Sequence, residues 1–336
     1  MADRAGVAIK TVSRVLNREP SVRPETLHRV QQAIRELNYR PNPSARNLAS
    51  AREHLIAILY NNPSANYVVS VLEGVLAACE AEHHGVLLQP CETGGARLID
   101  QIHDLLNQRR ARGLVLTPPL CDDRALLDML DAEQIDYASI APGDEQRGRP
   151  FVAIDDEKAS RDLTEYLISR AHRRIGFIKG HPLHGAAAKR LLGYQAALRE
   201  HGIPPDESLI ASGNFSFESG VECARRLLSL RHAPSAIFAA NDDMAAGVMH
   251  AAYENGLEIP RELSVVGFDD SPTARYVYPT LTTVRQPVRA MAHAAVDCLM
   301  RSIRQRSGRG DATPVSQRFD YDLVIRDSVS VAKTGA

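Results

Sequence analysis

From residue 54 onward one rhythm repeats: a short apolar run, a helical stretch, then another apolar run. The runs fall at 55–60, 86–89, 113–117, 137–140 and 151–154. After Asp155 the alternation restarts, with runs at 175–178, 209–211, 236–239 and 264–268. Unbroken apolar runs joined by helices suit a parallel sheet, because crossover helices cover both of its faces. The restart predicts two such α/β lobes of similar length with a cleft between them. The helix starting near Pro287, followed by a run at 319–325, is too long a tail for the second lobe alone. The chain is therefore expected to cross back, with hinges near 153–156, 283–287 and 317–320. Ligands of open α/β sheets bind beyond the carboxyl ends of the strands, so two facing lobes would bring both sets of ends to the cleft.

Residues 1–40 read differently, as helices alone. Ala5-Gly6-Val7 makes a turn, 11–17 continues as a short helix, and Pro24 suits the first position of a third, with Glu25 set against the helix dipole. Leu27, Val30, Ile34 and Leu37 recur at steps of three and four and predict one buried stripe. Three short helices around a Gly-containing turn follow the helix-turn-helix plan. Pro41-Asn42-Pro43 then breaks the chain, and 44–50 holds enough Ala, Leu and Arg for a brief helix that would order only on a partner.

Charge divides the chain at the same place. Residues 1–52 carry ten Lys or Arg against four Asp or Glu, a balance of +6, whereas the whole chain stands at −1 and the remainder at −7. A small basic head on an acidic body is the footprint of a nucleic-acid reader with a separate sensing domain. The bland alternative is a solvated charged face. These readings give an all-α helix-turn-helix headpiece at 1–42, a hinge helix or linker at 43–52, and an α/β two-lobed domain at 53–330. Within that domain lobe 1 takes 53–154 and 286–317, and lobe 2 takes 155–285 and 318–330.

Several classes fit poorly. The longest apolar runs are far too short to span a bilayer, and charged residues appear at once with no apolar core behind them, so a cytoplasmic protein without a signal peptide is expected. The five cysteines, Cys79, Cys91, Cys121, Cys223 and Cys298, are odd in number and form no CxxC pair, which argues against a disulfide framework and a structural zinc site. His181-Pro182-Leu183-His184 invites a metal reading, but no Cys, Asp or Glu lies close by in sequence. A cleft-rim loop, with His181 or His184 touching a ligand, fits better, and neither metal nor cofactor is expected. An enzyme is not favoured: there is no GxSxG elbow, no Walker GxxxxGK and no GxGxxG after a strand. Asp155 and Asp156 could be imagined as a glycosidase pair, but a hinge location explains them better.

The segment from Ala5 to Asn17, reading AGVAIKTVSRVLN, resembles the recognition-helix signature of the LacI/GalR family of transcriptional regulators, and Asn38-Tyr39-Arg40-Pro41-Asn42 matches the end of that headpiece. Gly193-Tyr194, Ala240 to Gly247 (ANDDMAAG), Val265 to Asp270 (VVGFDD) and Leu281 to Pro287 (LTTVRQP) follow in family order at family spacing. Any one alone is weak; together they are specific, and they cover essentially the whole chain. The resemblance implies a homodimeric repressor of palindromic double-stranded operator DNA, controlled by a sugar or sugar-derivative effector between the lobes, with no membrane partner. A periplasmic sugar-binding protein shares the two-lobed fold, but it would need a signal peptide and would lack residues 1–50.

The resemblance also assigns roles. In the headpiece Ile9, Lys10 and Arg14 would meet base edges in the major groove, Ile9 by apolar contact alone. Thr11, Ser13 and Asn17 would meet phosphates, and Leu48 would be a minor-groove wedge at the centre of the palindrome. In the cleft Arg190 would fork onto a pair of hydroxyls, Asn241 and Asp269 would offer amide and carboxylate, and Phe215 would supply an aromatic face. Asn62, Ser64, Tyr67 and Thr117 would contribute from the first lobe, and Asp156 and Gln286 from the crossings. Asp242, and likewise Asp270, reads better as a helix N-cap, and packing in a dimer interface is the bland reading of Tyr67. Two departures stand out. About half a dozen family residues would precede Met1, which suggests a start assigned late, and Ala8 stands where the family usually has a Ser N-cap. No leucine heptad follows residue 327, so a tetramer-forming coiled coil is not expected.

Overall fold

The computed structural model describes residues 2–16, 22–37, 55–92, 96–109, 111–145, 147–306 and 316–333. The chain forms two compact units, Met1–Glu53 and His54–Ala336. Asn17, the 38–42 motif, the expected hinge at 43–52 with Leu48, and the Ser13 side chain lie outside the described residues.

The first unit holds α1 (Ala2–Ala5), α2 (Ile9–Leu16) and α3 (Pro24–Glu36). Gly6 makes the first turn, where the Val7 N–H reaches the Ala2 carbonyl. Ala8, with no side-chain oxygen to offer, caps α2 only through its carbonyl, which accepts from Thr11 and Val12. Ala5, Val12, Val15, Val30 and Ala33 form the buried centre. The expected stripe on α3 is corrected at its end. Leu37 is 49% exposed, because the helix stops at Glu36 and Leu37 leaves it at φ −88°, ψ 0°. Ala33 takes the inner position instead.

The second unit opens with β1 (Leu55–Tyr60), α4 (Ala65–Ala81), β2 (Gly85–Pro90), α5 (Ala96–Arg109), β3 (Ala111–Leu116), α6 (Arg124–Ala132), β4 (Tyr137–Ile140) and β5 (Phe151–Ala153). It continues with α7 (Asp156–Ser169), β6 (Ile175–Lys179), α8 (Gly185–Glu200), β7 (Ile210–Ser212), α9 (Phe217–Leu228), β8 (Ala236–Ala239), α10 (Asp242–Glu254) and β9 (Ser264–Val266). Then follow α11 (Thr273–Tyr276), β10 (Thr283–Arg285), α12 (Val288–Arg306), β11 (Gln317–Arg318) and β12 (Asp322–Val324). Two sheets define two lobes. The first runs β2-β1-β3-β4-β5-β11 and the second β7-β6-β8-β9, every pair parallel, while β10 and β12 make an antiparallel ribbon. The chain passes between lobes three times: before α7, before α12, and between β11 and β12.

Alternation along each strand feeds two layers. Ile56, Ile58, Val115, Ile140 and Val152 join the core shared with α4 and α12, whereas Ala57, Leu59, Leu114, Leu116 and Tyr137 join the core under α5 and α6. Both faces are therefore buried, and the strands read as unbroken apolar runs. All five cysteines are buried within these layers as free thiols. In the second lobe α8 packs on α7 at a close approach. A β-carbon on Gly193 would stand 2.0 Å from the Glu157 carbonyl oxygen. Beside it Tyr194 stacks on Phe177, centroids 4.8 Å apart, and donates its hydroxyl hydrogen to the Ile175 carbonyl at 2.7 Å.

Candidate functional site

In each sheet the strand order reverses direction once: β1 lies between β2 and β3, and β6 between β7 and β8. Loops leaving such a switch point diverge, and the gap between them is where open α/β sheets hold ligands. Here the two gaps face one another. The cavity between them is lined by Asn62, Ser64, Tyr67 and Pro118 from the first lobe, by His184, Arg190, Phe215, Asn241 and Asp269 from the second, and by Gln286 at the crossing. Thr117 and Asp156 stand back from it. The Thr117 hydroxyl donates to the Leu59 carbonyl at 3.1 Å, tying β3 to β1, and Pro118 takes the lining position. Asp156 is 2% exposed and accepts from Arg190 Nε at 2.8 Å, so it positions that side chain.

Arg190 organises the second-lobe wall. Its guanidinium lies 3.6 Å from the Phe268 ring centroid, donates to the Ala240 carbonyl at 2.6 Å, and comes within 3.8 Å of Asp269 Oδ1. Two of its five donors are thus taken in holding the plane of the fork. Asp269 Oδ1 also accepts from Gln286 Nε2 at 2.6 Å. Phe215, at φ +72°, sits against Gly180, where a β-carbon would fall 1.9 Å from the ring. Its carbonyl accepts from Asn241 Nδ2, and Asn241 Oδ1 caps α10 by accepting from the Met244 N–H at 2.9 Å. The cap is therefore Asn241, not Asp242 as the sequence suggested. Asp242 is instead buried and accepts from the Thr283 hydroxyl and the Ser271 N–H. Asp270 is not a cap either: it accepts from Arg285 and Arg326.

The electrostatics follow from burial. Asp269 is pushed up to about 7, chiefly by burial, against the pull of Arg190 and the Gln286 hydrogen bond. Asp242 is raised well above the usual carboxylate range, by burial and then by the charge of Asp269. His184 is lowered to about 3 by burial, then by His181 and Arg190, so its ring is neutral near pH 7. It packs 4.9 Å from Phe215. No group of three or more His, Cys, Asp or Glu is placed to hold a metal among the described residues.

The lobes are clasped around the cavity by Ser64, which the sequence assigned to the ligand, and by side chains that sequence reasoning missed. Ser64 donates its hydroxyl hydrogen to Asp243 Oδ2 at 2.6 Å, and Asn66 donates to the Thr273 hydroxyl at 3.1 Å. On the opposite rim Asp122 accepts from Gly143 N–H in its own lobe and from Gly185 N–H in the other, at 2.6 and 2.8 Å. Lys189 of the second lobe donates to the Pro142 carbonyl and to Glu145 of the first. Only about 30 Å³ of the enclosed space admits the centre of a water-sized sphere. That is room for a water molecule or two, so a sugar-sized ligand enters only if the lobes part or side chains move. Nothing in the local sequence around Asp122 or Lys189 marks them, because their partners come from the other lobe.

In the headpiece Val12 and Val15 turn inward, which leaves Ile9 at 80% exposure with Lys10 and Arg14 also exposed and Thr11 half-buried.

Comparison with known proteins agrees with this architecture. The lacI family of bacterial regulatory proteins matches residues 1–42, and a periplasmic binding protein-like domain matches residues 164–329. The transcriptional repressor PurR of Vibrio atlanticus (strain LGP32) is 33% identical over 311 residues, covering 91% of each chain. The transcriptional regulator GalS of Salmonella typhimurium (strain LT2) is 34% identical over 333 residues, covering 98% of this chain and 95% of its own. Among solved structures, the lac repressor dimer bound to operator and the anti-inducer ONPF superposes with a TM-score of 0.84 at 28% identity, covering 98% and 97% of the two chains. The complex of the transcriptional regulator CelR with cellobiose gives 0.76 at 30% identity, covering 97% and 98%. No described helix is long and apolar enough to cross a membrane. The chain belongs to the LacI family of bacterial regulatory proteins, and it is a DNA-binding transcriptional regulator and not an enzyme.

Proposed function

We propose that this regulator is a homodimeric repressor whose grip on a palindromic operator is set by a small sugar or sugar derivative held between its lobes. The observation that carries the reading is the cavity itself. A fixed guanidinium (Arg190), a carboxylate (Asp269), amides (Asn62, Gln286) and an aromatic ring (Phe215) converge from both lobes on one point. Few, well-placed polar groups around an aromatic face are what a polyhydroxylated ring needs. The lac repressor and CelR structures, with their operator, ONPF and cellobiose ligands, support the same assignment. In the headpiece Ile9, Lys10 and Arg14 read bases, Thr11, Ser13 and Asn17 meet phosphates, and Leu48 wedges the central step. The functional units are the headpiece at 1–42, the hinge at 43–52 and the lobes at 53–330, and the protein works in the cytoplasm, where its operator lies.

Arg190→Lys provides the test. The substitution keeps a cation beside buried Asp156 but loses the fork, so folding is retained while paired hydroxyls lose their donors. Calorimetry against mono- and disaccharides should show at least about a tenfold loss of affinity. Operator binding by fluorescence anisotropy should be unchanged without sugar and should no longer respond to it. A variant that still responds like the parent would remove Arg190, and the cavity with it, from the effector site.

A further inference from the structure

Beside the effector cavity, and walled from it by Tyr67, Asp269 and Gln286, which line both, lies a larger groove of about 900 Å³. Its first-lobe wall is α4, from Asn66 to Ala77, with Arg289 and His293 of α12; its second-lobe wall runs from Asp269 to Arg275, and the crossing from Arg285 to Val288 lies between. The volume falls within the range of small-molecule sites, and three arginines stand among the lining residues. Arg275, Arg285 and Arg289 all reach it. Arg285 shares Asp270 with Arg326, at 2.7 and 2.5 Å, so that one carboxylate serves two guanidiniums. Its next carboxylate, Asp322, is 3.8 Å away and 72% exposed. Arg275 and Arg289 have no carboxylate within 4.0 Å among the described residues. The other acid on the wall, Asp269, is engaged by Gln286 and Arg190. The groove is therefore cationic, with arginines contributed by both of its walls.

We propose that this groove is a second ligand site that takes a small anion bearing a phosphate group or several carboxylates, clamped between Arg275 of the second lobe and Arg289 of the first. Guanidinium forks match phosphate and carboxylate oxygens in pairs, which sets this ligand class apart from the neutral sugar proposed for the cavity. Because the clamp spans both lobes and shares a wall with the cavity, an occupant favours one arrangement of the lobes. By linkage it changes effector affinity, and the effector changes its affinity by the same factor.

The test uses the full chain at low salt, titrated by calorimetry with inorganic pyrophosphate and, separately, citrate. Saturable one-to-one binding of either is expected, weakened at least about tenfold by Arg275→Gln and by Arg289→Gln and unaffected by Arg199→Gln, an exposed arginine elsewhere. Pyrophosphate alone binding identifies a phosphate ligand, and citrate alone a carboxylate ligand. Absence of saturable binding up to about 10 mM, or binding that survives either groove substitution, overturns the proposal. The Arg190→Lys variant separates the two sites, since it should lose sugar binding and keep the anion.

Discussion

Asp269 is where backbone, charge and ligand chemistry meet in one residue. Its φ of +115° is a conformation L side chains rarely adopt, and such positions persist only where the surroundings over-determine them. Here the surroundings are the Gln286 amide and the Arg190 guanidinium on one side, and the carboxylates Asp243 and Asp156 on the other. With burial holding its carboxyl near 7, above the ordinary value of about 3.9, the folded protein keeps a proton that the unfolded chain has already lost. Its stabilising contribution is therefore full below about pH 4 and lost as pH rises through about 7. Asp269→Asn should remove that dependence. Urea unfolding of parent and variant between about pH 5 and pH 8 should show their difference moving in the variant's favour by on the order of 2–4 kcal/mol. Asp242 adds to the same difference, because the charge of Asp269 helps to raise it. His184 acts with the opposite sign, losing stability as pH falls through the ordinary histidine range, but it is common to both proteins and cancels. A difference that stays flat would show that Asp269 is ionised and fully paired with Arg190 throughout. A second expectation concerns Gly180, where a methyl group would meet the Phe215 ring at 1.9 Å. Gly180→Ala should displace the ring at a strain of about 1–3 kcal/mol and weaken sugar binding in calorimetry; unchanged affinity would show that the ring is packing and not a ligand surface.

Gly193 makes the corresponding case for an element. Within the family signature Gly193-Tyr194 stands three residues beyond Arg190 and looks like part of the ligand machinery. In the fold it serves the contact of α7 with α8, since a β-carbon would strike the Glu157 carbonyl. Gly193→Ala should therefore lower thermal stability by about 1–3 kcal/mol, while sugar affinity measured well below the melting point stays within about threefold of the parent. A variant as stable as the parent would show that the helices separate freely. The same contrast shows what is legible before folding. The strands could be read because burial on both sheet faces leaves an unbroken apolar run, and cavity residues such as Asn62, Ser64, Asn241 and Asp269 could be placed because they follow strand ends at a switch point. Thr117 was misplaced by one residue: whether its hydroxyl faces the cavity or the neighbouring strand depends on where β3 ends. The sequence points to Asp242 as the cap where the fold uses Asn241, since either can satisfy an open helix end and Asp242 is drawn away by Thr283 and Ser271, far away in sequence. Leu37 kept the period of the stripe but fell beyond the last turn.

At the scale of the whole molecule, the polar contacts across the cleft among the described residues bear on how readily the lobes part. The rim opposite Ser64 and Asn66 rests on Asp122, which bridges Gly143 and Gly185, and on Lys189, which reaches Pro142 and Glu145. None of these residues lines the effector cavity, so changing them tests closure without touching the ligand. Charge-assisted hydrogen bonds of this kind contribute about 1.5–3 kcal/mol each, enough to move a two-state equilibrium by about one to two powers of ten. Asp122→Ala leaves the Gly185 N–H unpaired while the lobes are closed, whereas opening gives it water, so the variant favours the open arrangement. Lys189→Met acts in the same direction by releasing Glu145, although Glu145 keeps Arg318 as a partner and the effect should be smaller. Small-angle scattering of the ligand-free protein should show a larger radius of gyration for Asp122→Ala than for the parent, with Lys189→Met between them. Saturating effector should bring all three together, because a ligand that contacts both lobes restores the closure that the rim has lost. Effector affinity should fall in the same order, since binding must then supply the closing free energy. If scattering and affinity are unchanged in both variants, the rim contacts follow closure without helping to drive it, and control of the lobes rests with the Ser64–Asp243 and Asn66–Thr273 contacts and the cavity residues.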